Sequence, residues 1–150
     1  MMTLCMRYTK NESDAAEVLN KGFLKVFLNV QRYDPAQANL YTWIRTIVIN
    51  SCLDFLKLKY KTVQHKELDK AEDVHIDSEA INKLDVSMLL YLIRQLPPAT
   101  QAVFNLYVME GYNHKEIGQL LNISQGTSKW HLSEARKSLQ QMIRLKEVQI

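Results

Sequence analysis

Apolar residues in this chain recur every three or four positions, and no convincing strand-like alternation appears. From Asp14 to about Val30, the residues Ala15, Val18, Leu19, Val26, Phe27 and Val30 form one helical stripe. Phe23 and Leu24 widen that stripe beyond what a single core face needs. Polar residues around Asp34-Pro35 break the pattern between Gln31 and Leu40. A second helix is expected from about Tyr41 to Lys59, with Trp43, Ile44, Ile47, Val48, Leu53, Phe55 and Leu56 as its apolar positions. Lys57, Lys59 and Lys61 trail off its end, where cations suit the helix dipole. Periodicity is lost over 62–85 and returns in helices at about Val86–Gln95 and Ala99–Met109, separated by Leu96-Pro97-Pro98 and closed by Gly111. The expected fold class is therefore all-α: two small helical domains, 1–61 and 86–150, joined by an acidic linker over 62–85.

The last third is the most specific part. Ile117, Leu120 and Leu121 share one helical face, and Asn122 stands where the chain must leave that helix. Asn tolerates the left-handed conformation that such a stop uses. His114 reads as a helix-start residue. Ser124, with Thr127 three residues on, reads as the N-cap of a longer helix running to about Arg144. Short helix, tight turn and longer helix make a helix-turn-helix, a unit whose second helix can lie in a DNA major groove.

Charge distribution sharpens this. The net charge is only +3, but residues 1–65 carry nine Lys/Arg against five Asp/Glu. Residues 66–86 carry three against seven, and residues 87–150 seven against four. Two basic blocks flanking an acidic one fit a two-part nucleic-acid binder better than the total does. The cysteines, Cys5 and Cys52, lie far apart with no metal spacing, which reads as reduced thiols. No signal peptide is evident, the longest apolar run (Met88 to Ile93) is too short to span a bilayer, and a soluble, intracellular protein is expected. His65 and His75 lack ligand spacing, so no metal and no cofactor are expected. With no phosphate-binding glycine loop and no nucleophile–base pairing, the expectation is that the chain is not an enzyme.

Taken in order, the segments resemble the two conserved regions of a bacterial RNA polymerase sigma factor of the extracytoplasmic-function (ECF) group, within the sigma-70 family. Arg7-Tyr8 through Asp14-Ala15-Ala16-Glu17-Val18-Leu19-Asn20-Lys21-Gly22-Phe23-Leu24-Lys25-Val26-Phe27 looks like the region 2 helix that docks on the polymerase clamp. Tyr33-Asp34-Pro35, Tyr41-Thr42-Trp43-Ile44, Ile47, Asn50 and Asp54 are similar to the segment that melts and reads the minus-ten element. Leu96-Pro97, Val103-Phe104, Glu110-Gly111-Tyr112, Lys115-Glu116-Ile117, Ile123-Ser124, Gly126-Thr127, Leu132 and Ala135-Arg136 look like region 4, which reads the minus-thirty-five element. The direct join through an acidic linker is what resembles the ECF group. The resemblance implies a promoter-specificity subunit whose partners are core RNA polymerase, double-stranded promoter DNA with its melted non-template strand, and a possible anti-sigma factor. A stand-alone helix-turn-helix regulator, or a truncated sigma-like decoy binding polymerase or an anti-sigma protein, are the competing readings.

The chain departs from the family pattern at named positions. It looks short by about one N-terminal helix, which leaves apolar surface needing a partner. Asn20-Lys21 stand where Gln-Glu is common, Gln101 where Arg is usual, and Glu134 where a base is common. Ser128 replaces an expected Val facing the helix-turn-helix core, which should weaken that packing.

Polymerase binding is expected of Glu17, Asn20, Lys21 and Leu24. Minus-ten contacts are expected of Tyr33, Tyr41, Asn50, Asp54, Lys57 and Lys61, because opening a duplex needs aromatic surface for stacking and cations for the strand. Trp43, at helical spacing with Ile47, reads instead as core. Upstream contacts are expected of Lys115, Gln125, Gly126, Thr127, Lys129, Trp130, His131, Ser133 and Arg136, with phosphate favoured at the helix N-terminus. The bland alternative, an ordinary solvated face, accounts for Lys129, Glu134 and Arg136. It leaves Trp130, an indole on the polar side of a helix, without a reason.

Overall fold

The computed structural model describes the backbone of residues 1–64 and 86–148, and side chains over 1–58 and 86–145. The expected acidic linker, with His65 and His75, therefore lies outside the described residues, as does the side chain of Lys61. Among the described residues there are helices and no strands, in two compact units, Met1–Lys59 and Tyr60–Ile150.

The N-terminal unit is built from α1 (Met2–Cys5), α2 (Glu12–Leu28) and α3 (Leu40–Gln64), with a 3-10 turn at Val30–Arg32. Asn11 starts α2 by accepting from the Asp14 amide at 2.8 Å, and Asn39 starts α3 in the same way from Thr42, also 2.8 Å. Its core joins Leu4, Cys5 and Tyr8 to Ala15 and Val18 of α2 and to Val48, Ile49, Cys52, Leu53 and Leu56 of α3. The helices α2 and α3 cross closely at Gly22, where an added Cβ would stand 3.2 Å from Val48 Cγ2. Two details differ from expectation. α2 begins at Glu12, and α3 runs on to Gln64 rather than ending near Lys59. Lysines are good helix formers, so nothing in that segment stops propagation.

The C-terminal unit contains α4 (Val86–Arg94), α5 (Pro98–Phe104), α6 (His114–Leu121) and α7 (Gln125–Val148). Pro98 sits at the start of α5, where its missing N–H costs nothing. Residues Asn105–Met109 continue α5 as a wider π-turn, and Gly111, at φ +80°, ends it. α7 packs across α4, α5 and α6 through Ser128, Leu132, Ala135 and Leu139, which meet a core of Leu92, Ile93, Leu96, Val103, Leu106 and Ile117.

Candidate nucleic-acid interface

The helix-turn-helix is fastened at every joint. Asn113 caps α6, its Oδ1 accepting from the Lys115 and Glu116 amides at 3.0 Å each while its own amide donates to Glu116 Oε2 at 2.8 Å. Asn122 takes the left-handed conformation, φ 56° and ψ 50°, and the Ile123 amide reaches back to Gly118 O at 3.0 Å. Only glycine fits at 118, since a Cβ there would lie 2.7 Å from Ile123 O. Ser124 caps α7: its Oγ accepts from the Thr127 amide at 3.0 Å and lies 2.9 Å from Thr127 Oγ1.

Two histidine contacts orient α7. His114 Nδ1 lies 2.9 Å from Ser128 Oγ, and the Tyr107 ring stacks on that imidazole with centroids 4.6 Å apart. His131 Nδ1 lies 3.0 Å from Thr100 Oγ1 of α5. Burial holds both imidazoles below the usual histidine range, and Lys129 and Arg136 press His114 the same way. Ser128 faces the core as expected, but with a hydrogen-bond partner that the sequence did not suggest. Ser128 is 0% exposed, and its hydroxyl is satisfied by His114 rather than left as a defect in an apolar core. His131 also differs from expectation: it is half-buried and turned onto Thr100 instead of standing among the outward-facing residues.

Of the expected upstream contacts, Gln125, Gly126, Thr127, Lys129, Trp130, Ser133 and Arg136 of α7 are exposed, as is Lys115 on α6. Trp130 is 59% exposed and meets the His131 ring edge-on, centroids 4.9 Å apart. Lys129, Ser133 and Arg136 fall at helical spacing, so one face presents two cations and a hydroxyl beside the indole. The opposite face is the buried one, so the helix has a single orientation in which to meet a partner.

In the N-terminal unit, Trp43 is half-buried rather than core. It lines a shallow cleft of about 300 Å³ between α2 and α3, with Lys25, Asn29, Arg32, Ile47 and Asn50. Tyr33 tilts against the Trp43 ring at 51°, centroids 5.4 Å apart. The opposite wall, Lys25 from α2, Asn29 at its C-cap and Arg32 from the 3-10 turn, was not anticipated, because the chain leaves the α-helix at Asn29 and helical spacing does not carry across that break. Asp54 Oδ2 pairs with Lys25 Nζ, one of the cleft residues, at 3.0 Å. Tyr41 and Lys57 are exposed nearby in sequence.

The remaining expected positions lie on α2. Glu17, Asn20, Lys21 and Leu24 are all exposed, and Glu17 pairs with Lys21 one turn on. Beside them Leu24, Phe27 and Leu28 are 58%, 77% and 70% exposed. Together they form an exposed apolar stretch on one helix, larger than singly scattered surface residues make. Among the described residues, no group of three or more His, Cys, Asp or Glu is placed to hold a metal ion, and no helix is long and apolar enough to cross a membrane.

Comparison with known proteins agrees with this geometry. Residues 1–62 match the family described as Sigma-70 region 2, and residues 87–139 match Sigma-70, region 4. The ECF RNA polymerase sigma factor SigE of Mycolicibacterium smegmatis is 26% identical over 91% of this chain, which spans only 54% of that protein. The ECF RNA polymerase sigma factor SigW of Bacillus subtilis is 24% identical over 94% of this chain and 81% of its own length. The fold resembles that of the sigma factor RpoE, solved in complex with the anti-sigma factor NepR from Bartonella quintana. The TM-score is 0.66 at 18% identity, covering 95% of this chain and 89% of that one. With both regions matched in order and ECF factors among its relatives, the chain belongs to the ECF group of sigma-70 family RNA polymerase sigma factors.

Proposed function

We propose that the protein directs core RNA polymerase to specific promoters through two DNA contacts, and that it is not itself an enzyme. The observation that carries this reading is the single exposed face of α7: Lys129, Trp130, Ser133 and Arg136 point outward while Ser128, Leu132, Ala135 and Leu139 are buried. Such a face suits a major groove, with Lys129 and Arg136 on phosphate or guanine and Trp130 against a thymine methyl or the sugar wall. Gln125, Gly126 and Thr127 at the helix start favour a phosphate, and Lys115 adds a flanking cation. The segments 1–61 and 86–150 serve as regions 2 and 4, with 62–85 between them.

The cleft of the N-terminal unit is the proposed minus-ten contact. Trp43 and Tyr33 offer stacking surface, Asn50 hydrogen-bonding capacity, and Lys25, Arg32, Lys57 and Lys61 cations for the displaced non-template strand. The apolar face of α2, with Glu17, Asn20, Lys21 and Leu24, is the proposed polymerase contact. The same face suits an anti-sigma partner, which would then exclude polymerase. Permanganate probing tests the reading: thymines in the minus-ten element become reactive only when core polymerase and this protein are both present. Trp43→Ala lowers that reactivity without moving the upstream footprint. Equal reactivity in the variant contradicts the cleft assignment.

A further inference from the structure

The chain's only two cysteines are 47 positions apart in sequence and adjacent in space. Cys5 ends α1, Cys52 sits in the middle of α3, both are reduced and 0% exposed, and their sulfurs are 3.9 Å apart. Nothing in promoter binding uses them. Two thiols in mutual contact inside an otherwise apolar core have a chemistry that isolated buried thiols lack, because each is positioned to trap an oxidised form of the other.

We infer that Cys5 and Cys52 form a reversible oxidation site, in which a hydroperoxide converts the pair to an intramolecular disulfide that ties α1 to α3. The roles of the two sulfurs are not equivalent. The Cys52 thiol hydrogen-bonds to Cys5 and holds the Cys5 thiol below its usual range, against the opposing effect of burial, which favours Cys5 as the attacking sulfur. Its sulfur bonds to one peroxide oxygen, the O–O bond breaks, and the departing hydroxide or alkoxide takes a proton, leaving a sulfenic acid on Cys5. The Cys52 sulfur then attacks that sulfur: the S–S bond forms, the S–O bond breaks, and the hydroxide leaves as water with the Cys52 proton. Two electrons pass from the thiols to the peroxide. A dithiol reverses the step by exchange.

Access is through α1, a four-residue helix with no side-chain cap hydrogen bond at its start, the kind of element that opens locally before the rest of a fold does. Closing the bond joins α1 to α3, which carries Trp43 and Asn50, and encloses within its loop all of α2, which carries the exposed apolar face. Its first consequence is stability, since the unfolded chain loses loop freedom.

The test treats the folded, full-length protein with hydrogen peroxide, alkylates the remaining thiols under denaturing conditions, and maps peptides by mass spectrometry. The expected result is a monomer with no alkylated thiol, a single Cys5–Cys52 linked peptide, and full return of both thiols with dithiothreitol. The melting temperature of the N-terminal unit rises on oxidation by on the order of 10 °C. In Cys5→Ser and Cys52→Ser, each read beside its own circular dichroism melt, that rise is absent. Because the decisive readout is on the unsubstituted protein, a variant that folds poorly leaves it intact. Sulfinic or sulfonic acid on the separate cysteines, disulfide-linked dimers, or two thiols that are both still alkylated after peroxide treatment would each overturn the assignment.

Discussion

The two units use the same helical vocabulary for opposite surface policies. The C-terminal unit fastens its reading helix with hydrogen bonds: a capping box at Asn113–Glu116, a left-handed stop at Asn122, a cap at Ser124, and histidine contacts to Ser128 and Thr100. Its outward face on α7 is polar around a lone indole. The N-terminal unit holds its core by close apolar packing at Gly22 and Val48, and leaves Leu24, Phe27, Leu28 and Tyr41 in solvent beside an aromatic cleft. A duplex keeps its bases stacked and offers edges and phosphates, which a rigid polar face can read. A partner protein or an unstacked base instead demands apolar area, and supplies through its burial the free energy that the isolated unit forgoes.

Four substitutions or titrations test that contrast. The largest effect is expected from Phe27→Asp, which places a charge in the centre of the proposed polymerase contact. Affinity for core polymerase falls by about 2–4 kcal/mol, roughly 30- to 1,000-fold, in a direct binding measurement. The melting temperature stays within a degree or two, because an exposed side chain contributes little to folding. A matching loss of fold stability would place Phe27 in the core and remove the contrast.

Next is the Lys129→Ala, Trp130→Ala double variant. Binding of duplex carrying the upstream element weakens by about 1–3 kcal/mol in an equilibrium titration, and the salt slope of log K drops by about one for the lost phosphate contact. An unchanged titration removes α7 as the reader.

Gly118→Ala comes third. Alanine normally gains about 1 kcal/mol over glycine inside a helix. Here its Cβ meets a backbone oxygen at 2.7 Å, so a net destabilisation of the C-terminal unit by about 1–3 kcal/mol is expected by chemical denaturation. The comparable Gly22→Ala change should cost less, since Val48 Cγ2 at 3.2 Å belongs to a side chain that can shift.

The smallest effect is on pH. His114 and His131 are held below their ordinary value near 6.5 when folded, so the unfolded chain binds more protons as the solution turns acidic. Stability from these groups is fully present above pH 6.5 and is lost as pH falls from there through the depressed folded values. Melting followed by Trp130 fluorescence in a Trp43→Phe background should show this loss, and His114→Asn with His131→Asn should reduce it. A stability that rises on acidification across that window would mean that the imidazoles are charged in the fold.

Much of this architecture was legible from the chain. Stripes of apolar residues located the helices, and Asn122, Ser124 and Gly111 marked stops and starts, because those residues act through local backbone geometry. What escaped were side-chain relations across elements. Ser128 reads as a weak core position until His114, fourteen residues earlier, is seen to satisfy it. His131 looks outward on a helical wheel, yet Thr100 draws it in. Trp43 shares its face with Ile47, and only the facing Lys25, Asn29 and Arg32 turn that face from core into cleft wall. The Asn113–Glu116 box was present as a four-residue pattern and could have been read directly.

The most direct test of the account is run-off transcription with bacterial core polymerase, this protein and a library of randomised promoters. The account predicts transcripts from a subset of templates sharing two short elements at fixed spacing, lost in Phe27→Asp through failed polymerase binding and lost in the Lys129→Ala, Trp130→Ala variant through failed selection. Duplex binding that needs no polymerase and yields no transcripts would contradict it in favour of a stand-alone regulator, and a stable polymerase complex that never initiates would contradict it in favour of a decoy.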